Sequence, residues 1–146
     1  EVIGVDPAHE PDFGPRSMGK AGATAVGARA FLIAFNVYLN TDNVEIAKKI
    51  AKTVRHSSGG LRYVKALGLL VNDQAQVSMN LTDFHQTPIH LVVEMIRREA
   101  TRYGVMISHT ELVGMAPQQA LLDVAAWYLQ LDSFKPELVL ENRLMG

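Results

Sequence analysis

The alternation of hydrophobic and polar residues along this chain predicts a succession of strands and helices. The apolar run Ala28–Leu39 is rich in Phe, Ile, Val and Tyr, which is typical of a strand. Two further strand-like runs, Tyr63–Val71 and Ala75–Phe84, flank a short polar turn at 72–74, a pattern typical of a hairpin. A shorter apolar run, Val105–Ser108, predicts a fourth strand.

Apolar residues at helical spacing lie between and after these strands. The first predicted helix runs to about His56 and opens with a capping-box pattern at Asp42 and Glu45. The second covers about 87–104, because Thr and Pro at its start are typical of an N-cap and a first helical residue. A third helix is predicted over Pro117–Tyr128.

The order strand, helix, strand, strand, helix, strand is that of a ferredoxin-like split βαβ sandwich. In this α+β fold, helices cover one face of an antiparallel sheet and the other face stays open. Repeated prolines and glycines interrupt every periodic pattern near the start of the chain. We therefore interpret 1–27 as an arm or linker and 28–146 as the folded domain.

The open face of the predicted sheet is expected to carry small, uncharged side chains. Side chains alternate between the two faces of a strand. On one face of the third predicted strand, none of the side chains is charged. Its members are Gln76, Ser78, Asn80 and Thr82. Smaller residues of the first two strands would complete a shallow trough if they share that face: Ala30, Ala34, Asn36, Ala66 and Gly68. The trough suits a ligand groove or, equally, packing against a second sheet.

Composition narrows the classes of function. The chain has 146 residues, 48% hydrophobic and 20% charged, which predicts one compact domain. A formal net charge of -1, without a block of like charge, argues against nucleic acid or a membrane surface as partner. The sequence contains no cysteine and no apolar run of about 18 residues. Since no basic and apolar leader opens it, we predict a cytoplasmic location.

No catalytic or metal-binding motif is evident in the sequence. It contains neither GxSxG nor HExxH, and its five histidines match no metal spacing, so no metal is expected. His85 and His90 stand on either side of Pro88, which does not place them on one helix face. Glu111 is interpreted as a cap or a surface carboxylate. Local chemistry therefore favours a binding or assembly half over a complete active site.

Several longer segments carry a more specific signal. In chain order they are PDFGP, GATAVGARAFLIAFNVYL, GLRYVKALG, AQVSMNLTDFHQTPIH and ELVGMAPQQALLD. Together they resemble glutamate formimidoyltransferase, the formiminotransferase part of formiminotransferase-cyclodeaminase, over nearly the whole chain. In this family two α/β subdomains of related topology face each other across a tunnel that holds folate. The resemblance implies that the chain is the second, C-terminal subdomain together with the arm that leads into it.

The resemblance also implies a folate site, with tetrahydrofolate as co-substrate. The arm residues that match the family's folate-binding segment are Pro11, Asp12, Phe13, Gly14 and Pro15. Phe13 and Asp12 would then meet the pterin; otherwise the arm is a rigid connector with Phe13 buried in the core. On the trough side the candidates are Arg29, Asn36 and Asn80, of which Arg29 can hold a carboxylate.

One departure from the family affects the expected activity. The family's catalytic histidine lies in the first subdomain, in a motif of the kind HPRMGALDV, and nothing like it occurs here. None of the five histidines is expected to inherit its role. The chain is thus a fragment, a separately encoded half or a degenerate paralogue.

The principal hypothesis is the folate-side half of a transferase in histidine degradation. It would move the formimino group of N-formimino-L-glutamate to tetrahydrofolate, together with a first subdomain that supplies the catalytic histidine. The alternative is a non-catalytic folate-binding or assembly module of that family. In either case the uncovered trough predicts a homo-oligomer, since large exposed apolar patches are seldom left to water.

Overall fold

The computed structural model describes residues 7–17 and 19–145. Its strands are β1 (Ile33–Leu39), β2 (Val64–Val71), β3 (Gln74–Leu81) and β4 (Ile107–Val113). Its helices are α1 (Val44–Val54), α2 (Ile89–Arg102), α3 (Gln118–Tyr128) and α4 (Leu140–Met145). Short 3-10 turns cover Pro7–His9, His56–Ser58 and Pro136–Leu138. The strands form one antiparallel sheet in the order β2-β3-β1-β4, which confirms the predicted α+β, ferredoxin-like sandwich.

The hydrophobic core lies between the sheet and the first two helices. The predicted apolar stripe of α2 is buried along its whole length: Ile89, Val92, Val93, Ile96 and Ala100. Helix α1 buries Ala47, Ile50, Ala51 and Val54. The sheet contributes Ile33, Val37, Leu39, Val77, Met79 and Leu81. Removal of this apolar surface from water is the main favourable contribution to folding, and it leaves the opposite face of the sheet without helices.

Three strand boundaries differ from the prediction. Strand β1 begins at Ile33 rather than Ala28, because Ile33 pairs with Leu81, where the neighbouring strand β3 ends. Strand β3 was expected to reach Phe84, but beyond Leu81 the chain turns around the Asp83 carboxylate. Strand β4 runs over Ile107–Val113 and not 105–108, because its pairing with β1 continues to the opposite end of that strand.

Both predicted helix caps are also displaced by one residue. The side chain of Asn43, not Asp42, accepts the hydrogen bond from the Glu45 backbone N–H at 3.1 Å. Thr87 does not cap α2, because its hydroxyl donates to the Arg62 carbonyl at 2.6 Å and Pro88 takes the cap position. Capping side chains and tertiary hydrogen bonds compete for the same groups, which sequence pattern alone does not resolve.

A β-bulge lies where β4 meets the end of β1. Tyr38 pairs with His109 and Leu39 with Ile107, so that Ser108 is the extra residue. The Ser108 hydroxyl donates to the Tyr38 carbonyl at 3.3 Å and accepts from Gln74 Nε2 at 2.6 Å. The bulge therefore sends Ile107 and His109 to opposite faces of the sheet, although ordinary alternation would place them on the same face.

The turn between β2 and β3 has a left-handed backbone at both of its residues. Asn72 has φ 49° and Asp73 has φ 58°, as a two-residue hairpin turn of type I′ requires.

We expect Asp73→Gly to raise the free energy of unfolding by about 0.5 to 1 kcal/mol, because glycine adopts positive φ without strain. Urea denaturation measures the change. Asp73→Val should lower the urea concentration at the midpoint of unfolding, because a β-branched residue disfavours positive φ. A lower stability of Asp73→Gly than of the unchanged chain would contradict this account.

Candidate functional site

The side of the sheet without helices, here called the open face, presents side chains in rows fixed by the strand register. The first row is Lys65, Asn80, Ala34 and Val113. The second is Leu67, Ser78, Asn36 and Glu111, and the third is Leu69, Gln76, Tyr38 and His109. With strands about 4.8 Å apart, a row spans roughly 14 Å, so this surface is wide enough for an extended small molecule.

The open face differs from the predicted trough along β2. Ala66 and Gly68 pair with the buried Met79 and Val77, and they face the helices rather than the open side. A Cβ built on Gly68 would lie 2.2 Å from the Lys48 backbone nitrogen, so α1 packs directly against this glycine. Their neighbours Leu67 and Leu69, 60% and 41% exposed, take the open positions. Ala30 precedes β1 and does not belong to the sheet.

A carboxylate held by two neighbouring side chains occupies the β4 side of the open face. Asn36 Nδ2 donates to Glu111 Oε2 at 3.0 Å, and the Tyr38 hydroxyl donates to the same oxygen at 3.3 Å. Since both bonds end on Oε2, the second oxygen keeps its capacity to accept within the part of the chain that the structure describes. Glu111 is exposed, in agreement with its interpretation as a surface carboxylate, and its free charged oxygen is a strong hydrogen-bond acceptor.

A flat aromatic pair lies beside this carboxylate. The rings of Tyr38 and His109 stack with centroids 4.3 Å apart and planes 8° from parallel. His109 Nδ1 lies 3.0 Å from the Ser108 hydroxyl, so the bulge fixes the orientation of the ring. Sequence reasoning missed His109 because the predicted fourth strand ended at Ser108, and it missed Tyr38 because only the smaller residues of the first strand were assigned to the trough. A predicted strand extended to Val113 would have placed His109, Glu111 and Val113 on one common face, but not on the open one, because the bulge reverses the faces.

A groove of about 470 Å³ runs around the β2 edge of the same face. Its lining includes Lys65 and Leu67 from β2, Asn80 from β3, and Arg55 and His56 just after α1. Arg55 is oriented by a 2.7 Å hydrogen bond from its Nε to the Ser58 hydroxyl. Two cationic side chains beside an amide favour a ligand that carries a carboxylate.

The structure brings some of the predicted site residues together and leaves others apart. Asn36 and Asn80 lie on the open face in adjacent rows, as expected. Arg29 is exposed, in the segment that enters β1 at the end of the sheet where Lys65 lies.

The arm residues Asp12, Phe13, Gly14 and Pro15 are exposed. The Phe13 side chain is 94% exposed, so the interpretation that buries it in the core is wrong. Gly14 has φ 95°, a conformation that side chains disfavour, and this angle holds the bend of the arm. The exposure of Phe13 also means that arm and sheet form no packed site within the residues described.

Residues 7–17 and 19–145 carry neither a cluster of metal-binding side chains nor a membrane-spanning helix. No group of three or more His, Cys, Asp or Glu side chains that could hold a metal ion occurs in these segments. His85 packs its ring against Phe84, with centroids 3.9 Å apart, and His90 lies on α2. In the same segments, no helix combines the length and the apolar character that crossing a bilayer requires.

Together, the helices on one side and the uncovered strands on the other define a ferredoxin-like α+β domain whose sheet has one face without helices. The chain belongs to the formiminotransferase family, since residues 34–143 match the family described as Formiminotransferase domain. This finding agrees with the resemblance carried by the sequence segments.

Curated relatives support the same assignment. The glutamate formimidoyltransferase of Thermoplasma acidophilum is 52% identical over 137 residues, which are 92% of this chain and 45% of that protein. That of Streptococcus pyogenes serotype M1 is 49% identical over 140 residues, 93% of this chain and 47% of that protein. The formimidoyltransferase-cyclodeaminase of Rattus norvegicus is 43% identical over 127 residues, 81% and 23% of the two chains. The chain thus spans slightly less than half the length of the first two relatives and about a quarter of the length of the third.

Proposed function

We propose that this chain is the C-terminal, folate-side half of a glutamate formimidoyltransferase. In this proposal it holds tetrahydrofolate on its open face while the formimino group moves from N-formimino-L-glutamate. The observation that carries the proposal is the Glu111 carboxylate, fixed by Asn36 and Tyr38 on the face that also bears Asn80 and Lys65. Family membership and the names of the relatives support the same reaction.

The pterin end of the folate fits the β4 side of this face. A pterin carries adjacent N–H donors at its N3 and 2-amino groups, and a carboxylate oxygen with both lone pairs free can accept from these two donors. Glu111 would be that acceptor, with Asn36 and Tyr38 as positioning residues that hold its orientation. The pterin ring is flat, and the stacked Tyr38 and His109 rings offer an aromatic surface next to the carboxylate.

The glutamyl end of the folate is anionic and would point toward the β2 edge. The first row of the open face carries Lys65 and Asn80, and the adjoining groove adds Arg55. Arg29 would join them, because it precedes β1 at the same end of the sheet. A ligand with donors at one end and carboxylates at the other therefore matches the polarity of the face, with Glu111 and Lys65 near opposite sides.

The arm would close over the bound folate. Phe13 and Asp12 stand between Pro11 and Pro15, which restrict the backbone, and Gly14 holds the bend. The exposed Phe13 ring is free to stack on the pterin, and ordering the arm would bury it.

The proposed partner is a first subdomain of the same family, which would supply the catalytic histidine and the second wall of the site. The exposed Leu67 and Leu69 are the apolar part of the open face that such a wall would cover. Without it, we propose that the chain pairs with a second copy, which light scattering over a range of concentrations would detect. A monomer at all concentrations would contradict this pairing.

The binding proposal is tested by titration calorimetry of the chain with a reduced folate. We expect weak binding, because a ligand held on one side lacks the contacts of the second wall. Phe13→Ala should weaken binding by about fivefold and leave the melting temperature within about 1 °C, since an exposed ring contributes little to packing. Asn80→Ala should weaken binding by a similar factor.

Lys48→Ala is the matched control on the opposite layer of the fold. Lys48 is exposed on α1 and pairs with Glu45, so its loss should change neither binding nor melting temperature. The proposal fails if folate does not bind, or if Phe13→Ala and Asn80→Ala bind as tightly as the unchanged chain. If folate binds but the chain mixed with a first subdomain transfers no formimino group, the non-catalytic binding module is correct instead.

A further inference from the structure

The outer edge of the sheet at β4 has no neighbouring strand in the described part of the chain. Strand β4 pairs with β1 on one side, and no other backbone hydrogen bond reaches its seven residues. All of them except Ile107 are exposed. An edge strand of an antiparallel sheet directs alternate N–H and C=O groups outward, so β4 offers a row of unpaired groups to another strand.

The sequence of β4 lacks most of the features that keep an edge strand from pairing. Proteins protect such edges with lysine or proline residues, or with a bulge. The strand contains neither lysine nor proline, and its bulge at Ser108 lies near one end. From His109 to Val113 the register with β1 is continuous. This segment is therefore a regular and unprotected edge, whereas the opposite edge strand, β2, carries Lys65.

The side chains of this segment are complementary to those of a second copy of the chain. Two antiparallel copies of β4 that pair about a two-fold axis at Thr110 place His109 of each copy opposite Glu111 of the other. Both side chains project from the open face, where an imidazole can donate to a carboxylate. On the helix side the two Thr110 side chains lie opposite each other, and threonine pairs are favourable cross-strand neighbours.

Other registers lack this complementarity. A two-fold axis perpendicular to the sheet pairs side chains of the same face, so the axis must pass beside a residue. An axis at Glu111 would place two carboxylates opposite each other, and an axis at His109 two imidazoles. An axis at Leu112 would place Glu111 opposite Val113. Of these four axes, the one at Thr110 alone gives each carboxylate a hydrogen-bond donor.

We propose that β4 pairs antiparallel with β4 of a second copy, centred on Thr110, so that the two four-stranded sheets become continuous. Its polar contacts are the two reciprocal pairs between His109 and Glu111. This contact is distinct from the pairing through Leu67 and Leu69, which lie on β2 at the opposite edge. Because the contact area of a single strand is small, we expect a dissociation constant on the order of 100 µM.

Complementary charge variants test the proposal. His109→Glu places two carboxylates opposite each other, and Glu111→Lys places an ammonium group opposite His109. Each variant alone should dimerise at least about tenfold more weakly than the unchanged chain. An equimolar mixture should recover the affinity, because the new carboxylate of one variant then lies opposite the new ammonium group of the other. Sedimentation equilibrium without folate measures these affinities, since a bound pterin would compete for Glu111 if the proposed function is correct.

Three controls make the result specific. His85→Glu and Glu45→Lys make the same charge changes outside β4 and should leave the association unchanged. Leu67→Asp removes an exposed apolar side chain of the open face and should leave the edge pairing intact. Backbone amides of 109–111 should exchange with solvent more slowly at high than at low protein concentration. The exchange measurement uses the unchanged chain, so it decides the question even if a variant fails to fold.

The proposal is overturned if the single variants associate as strongly as the unchanged chain, or if their mixture does not recover the affinity. It is also overturned if the amides of 109–111 exchange at the same rate at all concentrations. Loss of association in Leu67→Asp would assign the pairing to the open face instead. Protection of these amides only after a first subdomain is added would assign the β4 edge to that partner.

Discussion

Replacing Gly68 by alanine is expected to lower the free energy of unfolding by about 3 kcal/mol or more. This loss is enough to leave a measurable fraction of the molecules unfolded at 37 °C. The added Cβ would lie 2.2 Å from the Lys48 nitrogen and 2.5 Å from the Ala47 carbonyl carbon, both backbone atoms of α1. A side chain could rotate away from such a contact, but a helix backbone must shift as a unit. Urea denaturation followed by circular dichroism gives the change in unfolding free energy.

Gly27→Ala is the matched control, since a Cβ at that position meets no atom within 4 Å and the backbone there has no positive φ. It should change the unfolding free energy by less than about 0.5 kcal/mol. If Gly68→Ala were as stable as Gly27→Ala, the close packing of α1 on β2 would be wrong, and with it the assignment of Leu67 and Leu69 to the open face.

The second large effect concerns ligand affinity. Glu111→Gln keeps the size of the side chain but removes its charge and replaces one accepting oxygen by a donor. If Glu111 binds the pterin, affinity for a reduced folate should fall at least about tenfold, because the charge-assisted hydrogen bonds to the carboxylate become neutral ones or are replaced by a clash of two donors. Titration calorimetry on the folded chain measures the loss.

Two comparisons make the Glu111 result specific. Glu45→Gln removes an exposed carboxylate of α1, which is distant from the open face, and should leave folate affinity unchanged. The fragment p-aminobenzoylglutamate lacks the pterin, so its binding should be equal in the unchanged chain and in Glu111→Gln. A parallel loss for the fragment would assign Glu111 to the other end of the folate.

Periodicity in the sequence was sufficient to place the core elements. The apolar stripe of α2 and the alternation Val77, Met79, Leu81 in β3 each have one buried side, so their pattern dictates their orientation. Asn36 and Asn80 were placed on a shared face for the same reason. Both predictions are confirmed by the strand register.

The pattern failed where both sides of an element are apolar. In β2, the usual preference for burying larger side chains predicts that Leu67 and Leu69 face the helices. Instead, Ala66 and Gly68 face α1, because that helix lies close to the sheet. Helix α3 shows the same limit: its apolar stripe was predicted, yet among its described residues only Ala120 is buried. Which side chains of β2 and α3 are buried depends on the distance between each helix and the sheet. A single sequence does not specify that distance.

The carboxylate site could not be predicted because of the bulge in β4. Strict alternation from Ile107, which packs against the core, would place His109 and Glu111 toward the helices as well. The extra residue Ser108 reverses the faces from that point onward. Because of this one extra residue, sequence analysis could not assign Glu111 to the open face.

The same bulge makes β4 unequally sensitive to length changes. A chain that lost Ser108 would form a regular strand in which Ile107 still opposes Leu39 and Glu111 still opposes Asn36, so both faces keep their side chains. Loss of Thr110 would instead move Glu111 into the position opposite Val37, on the helix side of the sheet and away from Asn36 and Tyr38. In this strand, deletion of Ser108 should therefore leave the arrangement of Asn36, Tyr38 and Glu111 intact, whereas deletion of Thr110 should destroy it.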